Sequence, residues 1–194
     1  MRFVHFFILP RLPGLCKRDF LKKIKIALFK GIFHLTFNST ESTIRFMDLR
    51  TVLTPETVNL HLKGKTKEEI IDEMLDILVK AGKVTDKAAA RDCVLERERK
   101  MSTGMKHGIA IPHGKTDTVS DLVACIGISD NPVDFDSLDQ DPCRIFIMTL
   151  SPVNKTGPHL QFLAEVSLLF KSAGKRQQIL ETQDKAEVIK ILTE

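Results

Sequence analysis

The chain has 194 residues, 43% of them apolar and 28% charged, with a formal net charge of +4. That balance belongs to a globular domain with a sizeable core and excludes a disordered or fibrous chain. No run of about 20 apolar residues is present, which excludes a membrane-spanning helix. The four cysteines Cys16, Cys93, Cys125 and Cys143 form no CxxC pair, so reduced thiols in a cytoplasmic setting are expected rather than disulfides.

Residues 1–46 hold nine Lys/Arg against two Asp/Glu, and eight of the twelve phenylalanines. The remainder carries twenty Lys/Arg against twenty-three Asp/Glu, so the positive charge describes the first segment only. The apolar stretch Phe3–Leu9 contains His5, has most of the nearby positive charge after it rather than before it and has no small-residue cleavage site, which argues against a secretion signal. Residues 20–33 have the pattern of a basic amphipathic helix. Regular helix and strand signals begin at Met47. The expectation is a basic, Phe-rich extension over 1–46, mobile or not part of the native protein, with Met47 as an internal start, and a folded domain over 47–194. A membrane-surface or nucleic-acid-binding tail is the rival reading of the extension.

From Met47 the pattern alternates strands and helices. Val58, Leu60 and Leu62 alternate with polar residues as in a half-buried strand. Thr66 and Glu69 form a capping box, Ile70, Met74 and Leu78 follow at helical spacing, and Gly82 supplies the stop. A second helix is expected from Thr85 to about Lys100. Gly108–Ile111, Leu122–Ser129 and Arg144–Leu150 read as strands, with Asn131-Pro132 and Asp141-Pro142 as loops. Pro158 opens an apolar helix, Leu160 to Phe170, with its stop at Gly174, and two short helices, Lys175–Glu181 and Asp184–Leu192, close the chain. The fold class expected is α/β, with a mixed, roughly five-stranded sheet flanked by helices on both faces.

Three places carry chemistry. The run Gly108-Ile109-Ala110-Ile111 stops at Pro112 and delivers His113 to the rim of a sheet, where open α/β folds do their chemistry. Imidazole is nucleophilic and chargeable near neutral pH, although a Pro-His-Gly is more often a plain turn. His159 stands in the first turn of its helix, directly after a strand and loop, where backbone donors and the helix dipole favour an anion. Glu96-Arg97-Glu98-Arg99 ends a helix and leads through Thr103-Gly104 toward His113. Such a charge run is usually a solvated face, yet a planar guanidinium suits a transferring phosphoryl group, and Thr103 and Gly104 offer further donors. GxxxxGK[ST] is absent, so no nucleotide cradle is expected. A metal-dependent hydrolase using His107, His113 and His159 would need a carboxylate or third ligand at metal spacing, and no HxxxH or CxxC supplies one. A nucleic-acid-binding protein working through the basic N-terminus lacks the tyrosine and tryptophan of an interleaved basic-aromatic surface, and a purely non-catalytic interaction module remains as a further alternative.

Leu95-Glu96-Arg97-Glu98, Ser102-Thr103-Gly104, Gly108-Ile109-Ala110-Ile111-Pro112-His113-Gly114, Phe135-Asp136-Ser137-Leu138-Asp139 and Pro158-His159-Leu160 occur in order. Over residues 47–194 the chain thereby resembles the type-2 enzyme IIA domain of the bacterial phosphoenolpyruvate-dependent phosphotransferase system, whose members are fructose-type, mannitol-type and nitrogen-regulatory. The resemblance implies a phosphotransferase component in which His113 takes a phosphoryl group from the histidine phosphocarrier protein, with Arg97 and His159 assisting. It implies no metal and no organic cofactor, and an enzyme IIB cysteine or a regulatory target protein as the onward partner. Neither a fused permease nor an enzyme IIB domain accompanies the domain in this sequence, as in the free-standing nitrogen-regulatory members, which tilts the expectation modestly toward regulation.

Overall fold

The computed structural model describes residues 47–194; the extension over 1–46, with the amphipathic helix expected over 20–33, lies outside the described residues. Two short 3-10 turns, Leu49–Thr51 and Pro55–Thr57, precede strand β1 (Val58–Leu62). Helices α1 (Lys67–Lys80) and α2 (Lys87–Lys100) follow, then the short strands β2 (Ile109–Ala110) and β3 (His113–Lys115). The long strands β4 (Val123–Val133) and β5 (Cys143–Ser151) come next, and α3 (Thr156–Leu169), α4 (Ala173–Glu181) and α5 (Lys185–Thr193) complete the fold.

The chain adopts the expected α/β class. Its sheet runs β1-β4-β5-β2, with β3 also paired to β5. β4 and β5 are antiparallel, whereas β1 on β4 and both β2 and β3 on β5 are parallel. Alternation along β5 sorts two cores. Phe146, Met148 and Leu150 pack with Ile70, Met74, Leu78, Val94 and Leu95 of α1 and α2. Ile145 and Ile147 pack with Phe162 and Val166 of α3, Ile179 of α4 and Val188 and Ile191 of α5. Both faces are therefore covered. β1 serves both cores: Val58 and Leu60 join the second, and a register irregularity between Asn59 and Leu62 turns Leu62 into the first, as a one-residue slip in a strand must.

Helix boundaries follow local chemistry. The Thr66 hydroxyl accepts from Glu69 N while Glu69 Oε2 accepts from Thr66 N, completing the capping box; a cap of this kind contributes about 1 kcal/mol. Asp86 rather than Thr85 caps α2, accepting from Ala89 N at 3.0 Å. Three expectations are corrected. Asn131-Pro132 is no loop but lies inside β4, where the pairing with β5 becomes irregular between Ile128 and Val133 and accommodates a residue without an N–H. The apolar helix ends at Leu169 and Gly174 falls inside the next helix, which Ser172 caps through Lys175 N. The strand expected over Gly108–Ile111 is shorter, and a further strand begins at His113.

Candidate active site

β2 and β3 are one edge strand interrupted at Ile111-Pro112. Ile109 faces Ile145 and Ala110 faces Phe146; beyond the interruption His113 faces Thr149, Gly114 faces Leu150 and Lys115 faces Ser151, with the same offset throughout. Proline contributes no donor, but its carbonyl accepts from Thr149 N at 3.1 Å and holds the register. His113 thus continues the edge rather than turning away at its end. Its Nδ1 lies 2.7 Å from Ile111 O. A carbonyl can only accept, so Nδ1 carries the proton and Nε2 carries the free lone pair.

Strand alternation sends His113 and Lys115 to one side and Gly114 to the other, against α2, where the Cys93 thiol donates to Lys115 O at 2.9 Å. On the first side stands His159 of α3, whose ring centroid is 5.5 Å from that of His113. His159 is buried, and its Nδ1 shares a 2.8 Å hydrogen bond with Ser151 Oγ of β5. From the end of α2 comes Arg97, one Nη of which donates to Met101 O at 2.8 Å. His113, His159, Arg97 and Lys115 line one cleft of about 500 Å³, with Lys100 and Leu160 at its walls. A larger polar cleft of about 710 Å³ lies on the other side of α2 and takes Arg99. Its other cations are already matched, Lys67 with Glu98 and Asp136, and Arg91 with Asp72.

Electrostatics fit the His113 cleft to an incoming anion. Burial lowers the pKa of His113; the bond to Ile111 O opposes this and the Arg97 charge adds to it. Burial, with the charges of His113, Lys115 and Arg97, pushes His159 down to about 4. Both rings are therefore neutral at pH 7, His113 with a free Nε2 lone pair, beside guanidinium and ammonium groups. Such a constellation can receive an anionic electrophile, hold its charge and release it.

Of the residues expected at the site, His113, Arg97 and His159 come together, and Arg99 does not. Thr103 and Gly104 stay outside: Thr103 donates its hydroxyl and its N–H to Glu98, and Gly104 N donates to Ser102 Oγ. His107 is exposed in a left-handed turn with φ 67°, its N–H on Asp139, and does not line the cleft. Lys115, Ser151 and Glu98 were missed. Lys115 sits two positions beyond His113, the spacing that shares a strand face. Glu98 follows Val94 and Leu95 at helical spacing, so a carboxylate on a buried stripe was the available signal. Ser151 left no signal in the sequence.

The family model described as "Phosphoenolpyruvate-dependent sugar phosphotransferase system, EIIA 2" matches residues 51–194. The fructose-specific EIIABC component of Bacillus subtilis is 36% identical over 76% of this chain, which spans only 23% of that longer protein. The fructose-specific EIIA component of Haloferax volcanii is 37% identical, the match covering 76% of this chain and 96% of the relative. Among solved structures, nitrogen regulatory protein IIA-Ntr from Neisseria meningitidis aligns with a TM-score of 0.70 at 28% identity, over 74% of this chain and 97% of that one.

Proposed function

Because the chain belongs to the EIIA 2 family of the phosphoenolpyruvate-dependent sugar phosphotransferase system, we propose that it carries a phosphoryl group on His113. Nε2 of the neutral ring attacks the phosphorus of a phosphohistidine on the histidine phosphocarrier protein. The donor's P–N bond breaks as the new one forms, and the donor imidazole leaves with the electron pair. Arg97, Lys115 and the His159 end of α3 hold the charge on the equatorial oxygens. The phosphoramidate then passes to an onward acceptor, and the scheme requires neither metal nor organic cofactor. The observation that carries this reading is the Nδ1 bond from His113 to Ile111 O, which dedicates Nε2 to the transfer.

The onward acceptor we propose is a cysteine of an EIIB partner in the cytoplasm. Identities of 36% and 37% to fructose-specific components, against 28% to a nitrogen regulatory protein, support sugar transfer over the regulatory role expected from the sequence alone. The regulatory reading keeps one support, the likeness of the domain to IIA-Ntr over nearly that protein's whole length. Incubation with phosphoenolpyruvate, enzyme I and the phosphocarrier, followed by intact mass, should add one acid-labile phosphoryl group, absent in His113→Ala. An adduct that survives acid, or that persists in the alanine variant, refutes the assignment. Release of the label on adding an EIIB separates transfer from signalling.

A further inference from the structure

Glu98 is a carboxylate in the interior of a domain whose other charges are mostly at the surface: its side chain is 5% exposed. Burying a carboxylate is costly unless its lone pairs are occupied, and here they are. Oε1 accepts from Lys67 Nζ at 3.0 Å, Thr103 N donates to both oxygens at 3.1 Å, and the Thr103 hydroxyl donates to Oε2 at 2.6 Å. Lys67 is itself largely buried and also reaches Asp136 at 2.6 Å. Burial works against its ammonium, but the bonds to Asp136 and Glu98 outweigh that and hold its pKa above the ordinary lysine value.

What Thr103 does next gives this buried pair a function. Thr103 O accepts from Ile111 N at 3.0 Å, and Ile111 O accepts from His113 Nδ1 at 2.7 Å. An unbroken series of hydrogen bonds therefore runs from Lys67 through Glu98, Thr103 and Ile111 to the nucleophile's ring. Two residues before Thr103, in the same loop, Met101 O holds Arg97. The carbonyl that orients His113 and the carbonyl that orients Arg97 both depend on one loop, and Glu98 is what that loop is tied to.

We infer that Glu98 is a positioning residue for transfer at His113, fixing both the ring and the guanidinium through the loop Met101–Thr103. The inference rests on His113 being the phosphoryl acceptor. Glu98 touches no reacting atom. Its charge does bear on His113, since among the groups around that ring it opposes Arg97, which shares its helix. Lys115 on β3, His159 on α3 and Lys100, Glu96 and Cys93 on α2 also line the cleft.

Two variants and two readouts test this. Glu98→Gln keeps the shape and loses the charge and two of the acceptor sites. Phosphoryl uptake from the phosphocarrier should slow at least about fivefold at neutral pH, where the ring is neutral in either protein; a shift of about 1 Å at a reacting group can cost ~10²-fold. Nitrogen-15 spectra should show the Nδ1–H tautomer of His113 losing dominance, which removal of the Glu98 charge alone, acting only to lower the ring's pKa, would not produce. Thr103→Val should slow uptake in the same direction, and Thr103→Ser should restore it. A folded Glu98→Gln protein with the parent's rate and the parent's His113 spectrum overturns the inference; if that variant does not fold, parental behaviour of Thr103→Val overturns it instead. Failure of the unaltered protein to label on His113 removes the acceptor reading itself, and the inference falls with it.

Discussion

Replacing Gly114 by alanine probes how tightly the strand that carries His113 is seated on α2. A Cβ at this position stands 2.7 Å from Cys93 Sγ and 3.5 Å from Val94 N. Non-bonded heavy atoms settle at about 3.5–4.0 Å, so about 1 Å must be found. Turning the Cys93 thiol aside forfeits its bond to Lys115 O, worth about 1 kcal/mol at most for a thiol donor. Moving the strand instead displaces His113 and Lys115, the flanking residues. Overpacking of this size costs roughly 1–3 kcal/mol, or a loss of about 2–4 °C in Tm per kcal/mol for a domain of this length. Strand displacement would also slow phosphoryl uptake by about ten- to a hundredfold. Cys93→Ala removes the obstructing sulfur, so the double variant should be more stable than the two single changes predict, with a coupling of about 1 kcal/mol or more. Thermal and urea denaturation of the four proteins, alongside their labelling rates, measures this. Additive single effects, or a Gly114→Ala protein as stable and as quickly labelled as the parent, would refute the packing described for β3.

On the proposed transfer, Arg97→Ala and His159→Ala each remove a group that would face the phosphoryl; a loss of roughly 1.5–3 kcal/mol then makes labelling about ten to a hundred times slower while His113 is still labelled eventually. Arg99→Ala, whose side chain lines the opposite cleft, should label at the parental rate, as rapid-quench kinetics would show. His159 titrates at about 4 in the fold against roughly 6.5 when unfolded. The unfolded chain therefore takes up its proton first, so stability is lost as pH falls from about 6.5 toward 4 and levels off below. Urea titrations at pH 7 and pH 5 should show a smaller drop for His159→Gln than for the parent.

Much of this site was legible because it lies where sequence rules are strong. The capping box at Thr66, the helical spacing of Ile70, Met74 and Leu78, and the proline before His113 all act locally, and each appears where the pattern put it. What was not legible depends on pairing across the chain. β3 has only three residues and draws its existence from Thr149–Ser151, so no periodicity announces it. Pro132 signals a loop locally, but the irregular pairing with β5 between Ile128 and Val133 lets it stay within β4. The role of Thr103 was misplaced for a similar reason: a hydroxyl beside a phosphoryl motif reads as a donor to substrate, whereas its nearest acceptor is a carboxylate five residues earlier, turned inward at the end of α2.

β5 serves as a common datum for both histidines. His113 is set by pairing to Thr149, and His159 by the hydroxyl of Ser151, two positions further on the same strand. The helices contribute to the same setting: the His113 ring is also held through Ile111 and Thr103 from Glu98 of α2, and His159 is itself a residue of α3. A change in β5 pairing near Thr149–Ser151 would therefore reach both rings at once, so this strand couples the two sides of the cleft that the proposed transfer uses.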